Sequence, residues 1–204
     1  MYIFHLLTVH SNLKFVKSCV EFLKYRSFKI SSDDILTVLV NFGSTIEELC
    51  DSSFEIDLPR CENASGKFKK HSFPLFNMEM LAHLLIHYVN NNLVNFDWHF
   101  KHLIRALVKI TLDPKIKNSG LVTLYSTLVS TLAGKAVENY GQYDVTSWLH
   151  LDNSPLPVQV EVCKILEPVN HELQQELIVR ILDFIFAPKS LSIFPPIKVM
   201  FNFN

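Results

Sequence analysis

Between Asp97 and Leu112 the apolar residues Phe100, Leu103, Ile104, Leu107, Val108 and Thr111 stand three, one, three, one and three positions apart. That spacing gathers all six on one side of a 3.6-residue helix, and it is incompatible with the two-residue period of a strand. The same period returns along most of the chain. A sequence patterned this way buries its apolar stripes by packing helix on helix.

Ser11 to Arg26 carries Leu13, Phe15, Val16, Val20, Phe22 and Leu23 mostly at helical spacing, with Lys14, Lys17, Glu21 and Lys24 on the other side. Ser31-Ser32-Asp33-Asp34 then supplies a cap and first-turn acids ahead of Ile35, Leu36, Leu39 and Val40. Gly43 fits the end of that helix, and Ser44 with Glu47 has capping-box spacing for a restart. From Asn77 to Asn91, Met78, Leu81, Leu85 and Val89 form one face and Glu79, His83 and His87 another. The short Asn-rich link to the Asp97–Leu112 helix predicts that these two helices are antiparallel neighbours. Asp113-Pro114 stops the second of them.

A further helix is expected over Gly120 to Val137, with Leu121, Leu124, Tyr125, Leu128, Leu132 and Ala136 inward, ending at a turn marked by Gly141 and Tyr143. Val158 to Val162 alternates strictly, which by period alone is a strand. Helix is the better expectation, because Cys163, Ile165 and Leu166 continue the apolar run and a lone strand has no pairing partner in a helical chain. Asn170 caps a last helix with Leu173, Leu177, Ile178, Ile181, Leu182 and Ile185 inward. The expected fold is therefore all-α. About seven or eight helices form antiparallel hairpins stacked as a short α-solenoid or irregular helical array.

Two segments break the pattern. Residues 52–76 lose the helical period and read as a loop insertion in a single helical domain spanning 1–187. Residues 188–204 form an irregular apolar tail whose Ile193, Phe194, Ile197, Val199, Met200, Phe201 and Phe203 are too many for a comfortably solvated terminus.

Hairpins starting near residues 77 and 120 are spaced as in helix-pair repeats. Leu112-Asp113-Pro114-Lys115, leading into the Leu121–Leu132 run, resembles the Asp-Pro turn between paired helices of HEAT and armadillo repeats. Asp152-Asn153-Ser154-Pro155 before Val158–Leu166 is similar but carries an extra Pro157. The resemblance covers residues 77–187 and implies stacked helix pairs with a binding role. The first 76 residues do not fit the repeat.

Only five of 204 residues are glycine, about a third of the usual share. Tight turns and phosphate loops need glycine, so a turn-rich all-β chain and most nucleotide-binding α/β folds are disfavoured. No two glycines stand in GxG or GxxxxGK register, and Gly134-Lys135 lacks both the earlier glycine and the following Ser or Thr. The GxSxG elbow is absent, and His171-Glu172 meets Gln175 where a zinc protease needs histidine. Cys19, Cys50, Cys61 and Cys163 are scattered without CxxC spacing and are expected to be inert thiols.

Glu79, His83, His87, His99 and His102 are the one constellation with ligand chemistry. His83 and His87 lie opposite the Leu81, Leu85 and Val89 face, so they are expected at solvent rather than around a metal. No metal, cofactor or small-molecule substrate is expected, and the chain is read as non-enzymatic. Trp98 and Trp148 are expected to anchor the core.

No apolar run reaches the roughly 18 residues of a membrane span, and Met1 to His10 lacks the basic start and cleavage site of a secretory signal. The expected compartment is intracellular and reducing, nucleus or cytoplasm, where the Asn63-Ala64-Ser65 sequon is accidental.

The formal charge of −1 hides segregation: +4 over residues 1–30, −7 over 31–62, +5 over 63–120 and −3 over the rest. Only 19% of residues are charged, against about a quarter in an average domain, so apolar surface is left over. The expected function is a helical scaffold or adaptor that binds another protein within a hetero-complex. Phe68, Phe73 and Phe76 around the insertion and Phe194, Phe201 and Phe203 in the tail are its candidate contacts. The alternative is a helical-repeat nucleic-acid binder. It would use Lys67, Lys69 and Lys70 together with Lys14, Lys17, Lys24, Arg26, Lys101, Arg105 and Lys109, against an overall pI near 6.7.

Overall fold

A computed structural model of the chain describes residues 6–7, 10–26, 28–42, 75–150, 154–166 and 170–186. Among these the fold is all-α, with nine helices: α1 (Leu13–Arg26), α2 (Ser32–Asn41), α3 (Leu75–Asn90), α4 (Phe100–Leu112), α5 (Pro114–Asn118), α6 (Val122–Tyr140), α7 (Gln142–Leu149), α8 (Leu156–Leu166) and α9 (His171–Phe186). The count exceeds the expected seven or eight because α5 and α7 are too short to show a period. The restart expected at Ser44 lies outside the described residues, as do Gly43, Cys50, Cys61 and the tail.

Local chemistry sets the boundaries. The Asn12 carboxamide accepts from the Lys14 and Phe15 amides at 3.0 and 3.2 Å and opens α1. Ser31 Oγ accepts from the Asp34 amide at 3.2 Å while the Asp34 carboxylate accepts from the Ser31 amide at 3.0 Å, a reciprocal capping box. At the end of α3, Leu93 N–H donates to Tyr88 O and Asn92 N–H to Val89 O, with Asn92 left-handed at φ 55°. This is a Schellman motif with asparagine where glycine is usual. Asp113 both stops α4 and caps α5, accepting from the Lys115 amide at 2.7 Å while Pro114 takes the first helical position. The Val158–Val162 segment is helical, within α8.

The helices stack in two layers. One runs α1, α3, α6, α8 and the other α2, α4, α7, α9, each helix packing on the next in its layer. The two connections at the start of the stack are joined directly. Ile30 N–H donates to Leu93 O at 2.9 Å and Asn95 N–H to Ile30 O at 2.8 Å, a single parallel bridge centred on Ile30 and Val94. The connection between α3 and α4, residues 91–99, carries this joint, and α6 packs against both helices.

One continuous core threads the layers, from Leu7 and Val16 to Leu177 and Ile181. α3 is buried on two sides, since α1 and α6 flank it. Its polar groups are bonded accordingly: Tyr88 Oη donates to Leu23 O at 3.2 Å, and the fully buried Tyr125 Oη of α6 donates to Met78 O at 3.1 Å. Burial pushes the Tyr88 phenol up to about 12 and raises that of Tyr125 as well.

Candidate functional site

The last helix pair closes on the stack through one face only. α9 starts where Asn170 Oδ1 accepts from the Leu173 amide at 3.1 Å. It then buries Leu173, Leu177 and Ile181, four residues apart, one stripe of a helix. Each fully buried side chain of this kind contributes about 2 kcal/mol. Polar clamps fix the angle. Gln174 donates to Cys163 O at 3.3 Å, Arg180 donates to Tyr143 O at 3.1 Å with its guanidinium 4.0 Å over the Tyr143 ring, and Phe184 meets His150 edge-on at 5.8 Å.

α8 is anchored by Val162, Cys163, Ile165 and Leu166, with Ser130 Oγ donating to Leu166 O at 3.3 Å. Glu161 joins it to α5, lying 2.8 Å from Lys164 and 2.9 Å from Lys117. Hydrogen bonds from Lys164 and then Lys117 hold the Glu161 carboxyl at about 2, well below the usual carboxylate range.

Several large apolar side chains face away from the stack, beside the exposed His171, Glu172, Gln175 and Asp183. Leu156 and Val160 of α8, and Ile178, Val179, Leu182 and Phe186 of α9, are all exposed, Val179 to 54% and Phe186 to 60%. Along α9, residues 178, 182 and 186 repeat every four positions, as its buried residues do. Ile178 and Leu182, expected inward, therefore belong to a second stripe on the opposite side. A helical array ordinarily ends in a unit with a polar outer face. Here, among the described residues, the last two helices instead carry these exposed apolar side chains on their outward sides.

Phe76, expected at a partner surface, lies in the first turn of α3, half-buried and packed on the core. Phe68, Phe73, Phe194, Phe201, Phe203, Lys67, Lys69 and Lys70 lie outside the described residues. Of the two tryptophans, Trp148 packs on the core and against Tyr140, ring centroids 4.9 Å apart. Trp98, also expected inside, is instead 75% exposed with its ring over His99. Its neighbours Asp97 and His99 take the inward positions. Leu13, Phe15 and Phe22 are likewise exposed, because α1 packs through Val16, Cys19, Val20 and Leu23 alone.

The histidines do not converge. His83 is exposed, His87 bonds with Asn91 just past the end of its own helix, and the buried His99 meets the Asp33 carboxylate of α2. Among the described residues no three His, Cys, Asp or Glu side chains are grouped to hold a metal. Cys19 and Cys163 are buried thiols whose pKa burial raises. Among the described residues no helix is long and apolar enough to cross a membrane.

The chain matches no protein-family model, and neither a characterised protein nor a solved structure was found to be similar to it. The class that the fold defines is an all-α array of stacked helices.

Proposed function

We propose that the chain is a non-enzymatic helical scaffold or adaptor that binds another protein inside the cell, nucleus or cytoplasm, as a subunit of a hetero-complex. The observation that carries the reading is the apolar end face of α8 and α9. Its occupant is a helical segment of the partner, added as the next pair of the stack. Each pair already buries its outward stripe against its successor, and the stripe on α9 continues that register.

Burying six half-exposed apolar side chains supplies about 5 kcal/mol. Association costs about as much or more. A partner that touches these six residues alone therefore binds weakly, and a matched helix pair has to add contacts beyond them.

A photoreactive amino acid placed at Val179 of the full chain tests this in cell extract. Cross-links to another protein, at a peptide with apolar residues at helical spacing, support the reading. Cross-links confined to residues 188–204, cross-links to a second copy of the chain, or none at all overturn it.

A further inference from the structure

The other end of the stack carries a different surface. α1 packs on α3 through Val16, Cys19, Val20 and Leu23, which leaves the opposite side of the helix outward. Two strips lie there side by side, Lys14 and Lys17 with Glu21 on one and Phe15 and Phe22 on the other, and with Tyr25 and Arg26 all are exposed, Tyr25 to 84%. His10 lies against Phe15 with centroids 4.2 Å apart, and the Arg26 guanidinium sits 5.4 Å over Phe22. The helix has a single acid, Glu21, which lies 3.6 Å from Lys24.

We infer that the outward face of α1 is a binding platform for single-stranded nucleic acid. The rings offer flat surfaces on which bases stack without sequence preference, and the adjoining cations meet the phosphates. A polyanion fits the charge: four of the five charged side chains on this helix are basic, and Lys29 continues the series just beyond it. The mixing decides against a lipid surface. A helix that lies in a membrane separates an apolar face from a charged one, whereas here the Arg26 guanidinium lies over the Phe22 ring and the His10 imidazole lies against Phe15. Duplex recognition is disfavoured too, since stacking needs unpaired bases. Four of the described cations named from the sequence do not join the platform: Arg105 of α4 is bonded to Trp148 O and His150 O, Lys101 and Lys109 also lie on α4, and Lys24 is drawn to Glu21.

The test is fluorescence anisotropy of the full chain with labelled 12-nucleotide oligo(dT) and oligo(U), a matching duplex, and phosphatidylserine vesicles, over a salt series. With Lys14, Lys17 and Arg26 on phosphates, the expected slope of log affinity against log salt is about −2 on the single strands. Tyr25→Ala removes only exposed surface, so the fold is kept, and it should weaken binding about 5- to 150-fold while Tyr25→Phe retains it. Lys14→Glu with Lys17→Glu should abolish binding. Absence of binding, preference for the duplex, binding to vesicles alone, or affinity indifferent to these substitutions would overturn the proposal. None of these results bears on the α8–α9 face, which lies at the other end of the stack.

Discussion

Asp97 is the residue on which the joint between the first two helix pairs turns. Its Oδ2 accepts from the Ser32 amide at the start of α2, and its Oδ1 accepts from the His99 amide at the start of α4, both at 3.0 Å. One carboxylate therefore satisfies backbone donors of two helices, one of the donors lying 65 residues away in sequence. A hydrogen bond to a charged group contributes about 1.5–3 kcal/mol when its partner is buried. Asp97 is half-buried, so water partly replaces it, and Asp97→Ala should cost about 2–3 kcal/mol. Asp97→Asn keeps one acceptor oxygen and loses the other, together with the charge; about half that cost is expected. The Tyr140 hydroxyl bonds to the Asp97 backbone carbonyl and survives both changes. Urea unfolding with an unchanged m-value should rank wild type above Asn above Ala. A loss below about 0.5 kcal/mol for Asp97→Ala, or equal losses for the two variants, would refute the dual-cap reasoning.

The two stripes of α9 make a paired prediction: Leu177→Ala, at a fully buried site, should cost about 2–5 kcal/mol, and Leu182→Ala on the outward stripe under about 1 kcal/mol, both read by urea midpoint. Tyr125→Phe deletes the buried donor to Met78 O and should cost about 1–2 kcal/mol in the same assay. Glu161 has a folded pKa of about 2, below its ordinary value of about 4.3. Its stabilisation is therefore present above pH ~4.3 and lost as pH falls towards 2. Over that window Glu161→Gln should flatten the acid loss of stability, by under about 1 kcal/mol because the carboxylate is well exposed to solvent.

The fold class was legible because helical period is written locally. Phe100 to Thr111, the cap at Ser31–Asp34 and the Asp113-Pro114 stop each act within a few residues of themselves, and each is found where the sequence puts it. What was illegible is long-range. Nothing near Ile30 or Val94 announces that they pair, so the link between α3 and α4 reads as a plain hairpin turn when it is a joint with the first connection. α7 hides because eight residues do not display a period, and Gly141, at φ 85°, marks a turn between two helices rather than the end of one. The candidate surface was half visible. Ile178 and Leu182 read as inward because α9 carries two apolar stripes, and period alone does not say which one meets the stack. Trp98 misled for a related reason: size and apolarity favour burial, but the backbone turn that lets Asp97 cap α2 and puts His99 beside Asp33 leaves the indole outside.

The most direct test of the interaction role compares capture of the partner, through the photoreactive residue at position 179, by the otherwise unaltered chain and by an Ile178→Asp, Leu182→Asp variant. Both substitutions fall on exposed positions, so the urea midpoint should hold while partner yield falls at least tenfold. Undiminished yield from a folded variant would show that the end of the helix stack is not where the partner binds.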